Sequence, residues 1–157
     1  MTWLDQQTFK TVINSTPLIS IDLIVRNEQG QVLVGQRCNR PAKDYWFVPG
    51  GRVVKNELLS DAFQRLTLAE IGTALSIKQA RFIGLFEHFY SDSVFDDNVS
   101  THYIVNGFEL VLDSALLSLP FDQHDGYRWL SEADLIADER VHEHSKWYFE
   151  TDKGYRA

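Results

Sequence analysis

An amphipathic helix is written into residues 58–71, and its apolar side needs a sheet to lie on. At about 100° per residue, Leu59, Ala62, Phe63 and Leu66 share one stripe, which must face a core. Gly72 follows, a residue suited to the left-handed position that ends a helix. Most other apolar runs read as strands. Leu18–Arg26 and Gln31–Arg37 flank Asn27-Glu-Gln-Gly30, a hairpin turn. Trp46-Phe-Val48, Phe82–Phe89, Tyr103–Leu112 and Asp125–Leu130 continue the series, with a polar loop at 91–100 expected to be mobile. Short helices are expected over 5–14, opened by Asp5, and over Ser131–Ala137 and His142–Thr151. The pattern predicts an α/β chain of the α+β kind, a mixed β-sheet sandwiched between helices, in a single domain spanning 1–157.

Composition narrows the function classes. The chain has 157 residues, 44% hydrophobic and 24% charged, which is ordinary for one soluble domain with a core. A net charge of −7 argues against a nucleic-acid surface, which needs a basic face to displace counterions. Phosphate ligands stay open, because a metal ion and a few local arginines outweigh the global field. The start, Met1-Thr-Trp-Leu-Asp-Gln-Gln7, has neither the basic nor the apolar stretch of a signal peptide. No apolar run approaches the roughly 18 residues that span a membrane. One cysteine, Cys38, suits a reducing compartment. A cytoplasmic protein without nucleic-acid or membrane partners is expected.

Glu70 falls within the apolar stripe of the helix. A buried, unpaired carboxylate is costly, so Glu70 needs a cation, a raised pKa, a salt bridge, or a way out to water at the helix end. Just before the helix, Gly50-Gly51 can adopt backbone angles closed to other residues and let a ligand approach the main chain. Gly-Gly alone marks a turn. Following a buried strand, preceding a helix and joined by Arg52, Glu57, Arg65 and Glu70, it points to a site. Asp22, alternating inside the Ile21–Val25 strand, is another acid out of place.

Gly51, Glu57, Arg65, Glu70 and Gly72 stand at the spacing of the Nudix box, and the segment resembles that motif. It departs at two positions, where Leu66 and Ala69 replace glutamates that typical members use to bind metals or to position water for attack on phosphorus. The same departures are expected of the GDP-mannose mannosyl hydrolase branch, which attacks carbon. The resemblance runs through Ser15-Thr-Pro-Leu18, Asn39-Arg-Pro-Ala42, Tyr45-Trp-Phe-Val-Pro-Gly-Gly-Arg52, Arg65-Leu-Thr67, Thr101-His-Tyr103 and Gln123-His-Asp125.

This resemblance implies Mg²⁺-dependent hydrolysis of a GDP-sugar, with one Mg²⁺ per subunit, Mn²⁺ as a substitute, and a homodimer. Its metal ligands would be Glu70, the Gly50 carbonyl and the Gln123 side chain. A neutral imidazole, with a reference pKa near 6.5, suits a base that takes a proton from water, and His124 is the candidate. Arg37, Arg52 and the Tyr103 hydroxyl would meet the charge growing on the leaving diphosphate. By resemblance Asp22 would lie by the sugar and stabilise an oxocarbenium-like state. His88 would contact the sugar, Phe9 would stack on the base, and Trp3 and Leu4 would adjoin the nucleotide. Arg65 would order the loop through Glu57. His142 and His144 are expected on an exposed helix, and His102 has no assigned role.

Two rivals stand beside this reading. A conventional Nudix diphosphohydrolase attacking phosphorus would release a nucleoside monophosphate and is disfavoured by Leu66 and Ala69. A non-catalytic Nudix-fold binding module would be favoured by loss of the metal and base positions, yet Glu70, Gln123 and His124 are present.

Overall fold

The computed structural model describes residues 3–120 and 124–157, without the side chains of residues 116, 124 and 125. Its centre is strand β1, Leu18–Arg26, which runs parallel to β6, Thr101–Val111, along its whole length. On the far side of β6 lies antiparallel β5, Arg81–Tyr90, edged by the short β8, Tyr155–Arg156. On its other side β1 divides its partners. It meets β2, Val32–Arg37, only at the Arg26–Val32 pair beside the hairpin turn. Its first half pairs instead with β4, Gly50–Arg52. Strand β2 takes β3, Trp46–Phe47, and β7, His124–Leu130. Strands β1 and β2 therefore splay apart beyond the turn, and the segment that carries β3 and β4 is set between them.

Helices cover both faces of this mixed sheet. Alternation sends Ile21, Leu23 and Val25 to one face, where they meet Ala62, Phe63, Leu66 and Ile71 of α2, Leu59–Ile71. Ile24, Val34, Phe86 and Val105 face the other way, against Leu135 of α3 (Glu132–Ala137), Val141 and Tyr148. Helix α1, Gln6–Ser15, starts where Asp5 accepts the amide of Thr8. Helix α2 ends on Gly72 at φ 77°, where a Cβ would lie 1.8 Å from the Ser118 carbonyl oxygen.

Several expectations need correction. Leu59 is exposed in the first turn of α2, ahead of Ala62, where the buried positions of the helix begin. Gly50–Arg52 is more than a turn: pairing with Ser20–Asp22 makes it a strand despite its glycines. The segment 142–151 forms only a short helix α4, Glu143–Lys146, and a tight 3-10 turn, Trp147–Phe149. It is not an exposed helix either: His144 is 3% exposed and stacks on His88, with ring centroids 4.3 Å apart. The 91–100 loop is pinned rather than loose. Phe95 and Val99 pack with Phe9, Ile13 and Leu18, Lys10 holds Asp96 at 3.1 Å, and Arg40 pairs with Asp97. Among the described residues no helix is long and apolar enough to cross a membrane.

Candidate active site

At the splay of β1 and β2 lies a cavity of about 110 Å³. Asp22 of β1, Arg37 of β2, Gly50 and Arg52 of β4, His88 of β5 and Tyr103 of β6 all line it, so residues scattered over some eighty positions share one cavity. Tyr90, Ser20, Asn39 and Phe47 line it too and carried no sequence assignment. Tyr90 could have been found, since it lies two residues along the same strand from His88 and so shares its face.

Glycines make the room. In the strand register Asp22 stands opposite Gly50 of β4 and Gly107 of β6. A Cβ at Gly50 would sit 2.3 Å from Asp22 Oδ1, so only glycine lets that carboxyl lie against β4. A Cβ at Gly51 would sit 2.4 Å from a methyl of Leu66, which puts α2 hard against the loop. The other Asp22 oxygen, Oδ2, accepts a hydrogen bond from the hydroxyl of Tyr148.

Burial sets the electrostatics. It pushes the Asp22 carboxyl up from 3.8 to about 7, against the Tyr148 hydrogen bond and the Arg37 charge, with a smaller push from the Glu70 charge. Burial, reinforced by His144 and His142, pulls His88 down to about 2, so its imidazole is neutral. Its Nε2 has no hydrogen-bond partner among the described residues, while the residue itself is 4% exposed. The hydroxyls of Tyr90 and Tyr103 are raised by burial and stay protonated, available as donors.

Arg37 lies over the Phe47 ring at 5.6 Å and donates from Nε to the Asn39 carbonyl at 3.3 Å. Arg52 lies over Phe9 at 4.2 Å and Trp3 at 5.5 Å, which ties the N-terminal segment to the cavity. Trp3 and the neighbouring Leu4 are exposed at this edge and do not line the cavity. Arg65 grips Glu57 with two hydrogen bonds of 2.8 and 2.9 Å and reaches the Arg52 carbonyl at 2.8 Å. The loop between β4 and α2 is thereby locked.

Glu70 is 3% exposed on the inner face of α2 and lies near enough to Asp22 to raise its pKa. Gln123 lies outside the described residues. For His124 only the backbone is described, in β7 opposite Arg37. Among the described residues no three His, Cys, Asp or Glu side chains group into a metal centre. A cation here would therefore need carbonyl, amide, substrate and water oxygens beside Glu70. That is a hard, all-oxygen set of the kind Mg²⁺ takes.

A sequence model of the NUDIX domain matches residues 16–151. The chain belongs to the Nudix hydrolase family. This Nudix chain is 41% identical over 118 residues to the low-salt glycan biosynthesis protein Agl8 of Haloferax volcanii, covering 75% of this chain and 74% of that protein. Its fold resembles the MutT protein of Methanosarcina mazei Go1, with a TM-score of 0.69, 23% identity, and coverage of 87% and 93% of the two chains. It also resembles the MutT NUDIX hydrolase of Burkholderia pseudomallei, with a TM-score of 0.69, 20% identity, and coverage of 87% and 98%. These structural likenesses establish the Nudix fold.

Proposed function

We propose that this Nudix protein hydrolyses a GDP-sugar, GDP-mannose or a close analogue such as GDP-glucose or GDP-fucose, to GDP and free sugar. Water attacks the anomeric carbon. The observation that carries this reading is the fate of Leu66. It is 3% exposed in the core under the sheet, with a methyl against Gly51, where a phosphorus-attacking relative places a metal-binding glutamate. With Ala69 beside it, α2 offers the site one carboxylate, Glu70. The Haloferax relative is named as a glycan biosynthesis protein, which agrees with a sugar-bearing substrate.

In the reaction, His124 takes a proton from water as the water oxygen bonds to C1. The C1–O bond breaks and its electron pair leaves with the diphosphate. Arg37, Arg52 and the Tyr103 hydroxyl face the growing negative charge. Asp22 meets the positive charge that develops at the sugar, and neutral His88 offers Nε2 to a sugar hydroxyl. Phe9 stacks on the base, with Trp3 and Leu4 beside it. Mg²⁺, or Mn²⁺ in its place, would be held by Glu70, Gly50 and Gln123 and supplies charge neutralisation at the diphosphate. The working unit is a homodimer, which a sedimentation measurement checks.

Displacement by a single water predicts inversion. In ¹⁸O-water the label should enter the sugar at C1 and leave GDP unlabelled, and fresh product from an α-linked GDP-mannose should be the β anomer by proton NMR. Label in phosphate, or GMP with sugar-1-phosphate, would assign conventional Nudix chemistry instead.

A further inference from the structure

We infer that Tyr148 is a positioning residue for Asp22: through a gap left by Gly107, its hydroxyl holds one carboxylate oxygen and leaves the other beside Gly50 for the ligand. This rests on the reading of Asp22 as the group that meets the sugar. Tyr148 lies on the 3-10 turn after α4, far from Asp22 in sequence, and is 4% exposed. Its hydroxyl reaches Asp22 Oδ2 from the face of the sheet opposite α2. The gap is specific. Gly107 is the β6 partner of Asp22, and a Cβ there would sit 3.1 Å from the Tyr148 ring and 3.3 Å from Phe86.

The phenol is also held in place. Phe86 meets its ring edge-on with centroids 4.6 Å apart, and Arg156 donates to the Tyr148 carbonyl at 3.3 Å. A buried tyrosine can satisfy its hydroxyl on any main-chain carbonyl. Here the partner is, among the described residues, the one acidic side chain that lines the cavity, and a charge-assisted bond of this kind is both stronger and more directional. The terminal carboxyl torsion of an aspartate is otherwise broad and two-fold, so nothing else in the side chain itself would set its plane. Oδ2 is taken by Tyr148, and Oδ1 lies against the strand that carries Gly50.

The test is a double-mutant cycle of Tyr148→Phe and Asp22→Asn on GDP-mannose with Mg²⁺, reading kcat and KM separately. Tyr148→Phe keeps the ring and should lower kcat by about 10-fold, the order expected for one hydrogen bond to a charged group, with KM within about twofold. In the Asp22→Asn background it should cost nothing further. Wild-type kcat in Tyr148→Phe, or a loss that multiplies in full with that of Asp22→Asn, overturns the inference and leaves the role of Asp22 standing. Wild-type kcat in Asp22→Asn removes that role as well. A second readout needs neither metal nor substrate. Melting temperatures in EDTA of the matching cycle with Asp22→Ala, which leaves no acceptor, should be non-additive if hydroxyl and carboxyl share a bond, and additive values overturn it. Should Tyr148→Phe fail to fold, Gly107→Ala carries the kinetic test by crowding the ring: kcat should fall at constant KM, and only while Asp22 is present.

Discussion

Replacing Asp22 by Asn should make the metal-free protein more stable at neutral pH while lowering its kcat to a reduced but measurable value. Folding lifts the Asp22 carboxyl from 3.8 to about 7, so the folded chain keeps a proton that the unfolded chain gives up. Below about pH 4 both states are protonated and folding carries no penalty. As pH rises towards 7 the unfolded chain loses its proton first, and stability falls by up to about 1.4 kcal/mol per pH unit. Above 7 the gap between 3.8 and about 7 sets a ceiling of about 4 kcal/mol. Relaxation and water entry reduce this to about 2 kcal/mol, or about 4–8 °C in Tm for a chain of this size.

The buried histidines act in the opposite direction. His88 and His144 are held neutral, down to about 2 and about 3, so their contribution is present above 6.5 and is lost as pH falls below it. The raw melting curve of the native sequence therefore mixes two trends, and only its difference from Asp22→Asn isolates the carboxyl. Differential scanning fluorimetry in EDTA from pH 4 to 8 should show a gap that opens with pH in favour of Asp22→Asn. A gap that stays constant with pH, or an Asn variant that melts lower at pH 8, would refute the reasoning.

Glu70→Gln should lose most Mg²⁺-dependent turnover while melting within a few degrees of the native protein, and a wild-type Mg²⁺ titration would remove Glu70 from the site. His124→Gln should lower kcat by roughly 10²–10⁴ and abolish the ascending limb of the pH profile near its reference pKa of about 6.5; a variant that keeps the limb excludes His124 as the base. Arg65→Met breaks a two-point grip on a Glu57 carboxylate that this arginine holds below its usual range. It should cost about 2 kcal/mol and lower Tm by about 4–8 °C, and an unchanged Tm would show that the loop is ordered by other contacts.

What the sequence disclosed about this fold was whatever repeats locally. Strand β1 was readable to the residue, Leu18–Arg26, because its apolar run ends at a turn with Gly30. Helix α2 declared itself by its stripe and by Gly72, and Glu70 by intruding on that stripe. Convergence of Asp22, Arg37, Arg52, His88 and Tyr103 was reached through family resemblance, since no local pattern says that five strands will aim at one space. Tertiary partners decided the rest. Gly50–Arg52 has no strand propensity and is a strand because β1 offers it an edge. Helix α4 has four residues, too few for a periodicity that would reveal the burial of His144. The polar composition of 91–100 concealed its two anchors, Phe95 and Val99. Tyr148 gave no local signal, because its meaning depends on a glycine on another strand.

The parallel pairing of β1 with β6 also bears on how the chain is made. Leu18 waits for Tyr103 and Arg26 for Val111, so during synthesis the central, largely buried strand emerges long before its longest partner. Until β6 arrives, one whole edge of β1 is open to other chains, and closing so large a loop is slow. A nascent chain stopped short of β6 is thus a candidate for aggregation and for chaperone binding, and it has no rudimentary activity, because the cavity lacks Tyr103 and its wall. Fold and function should appear together, late, as the second half of the sheet docks on the first.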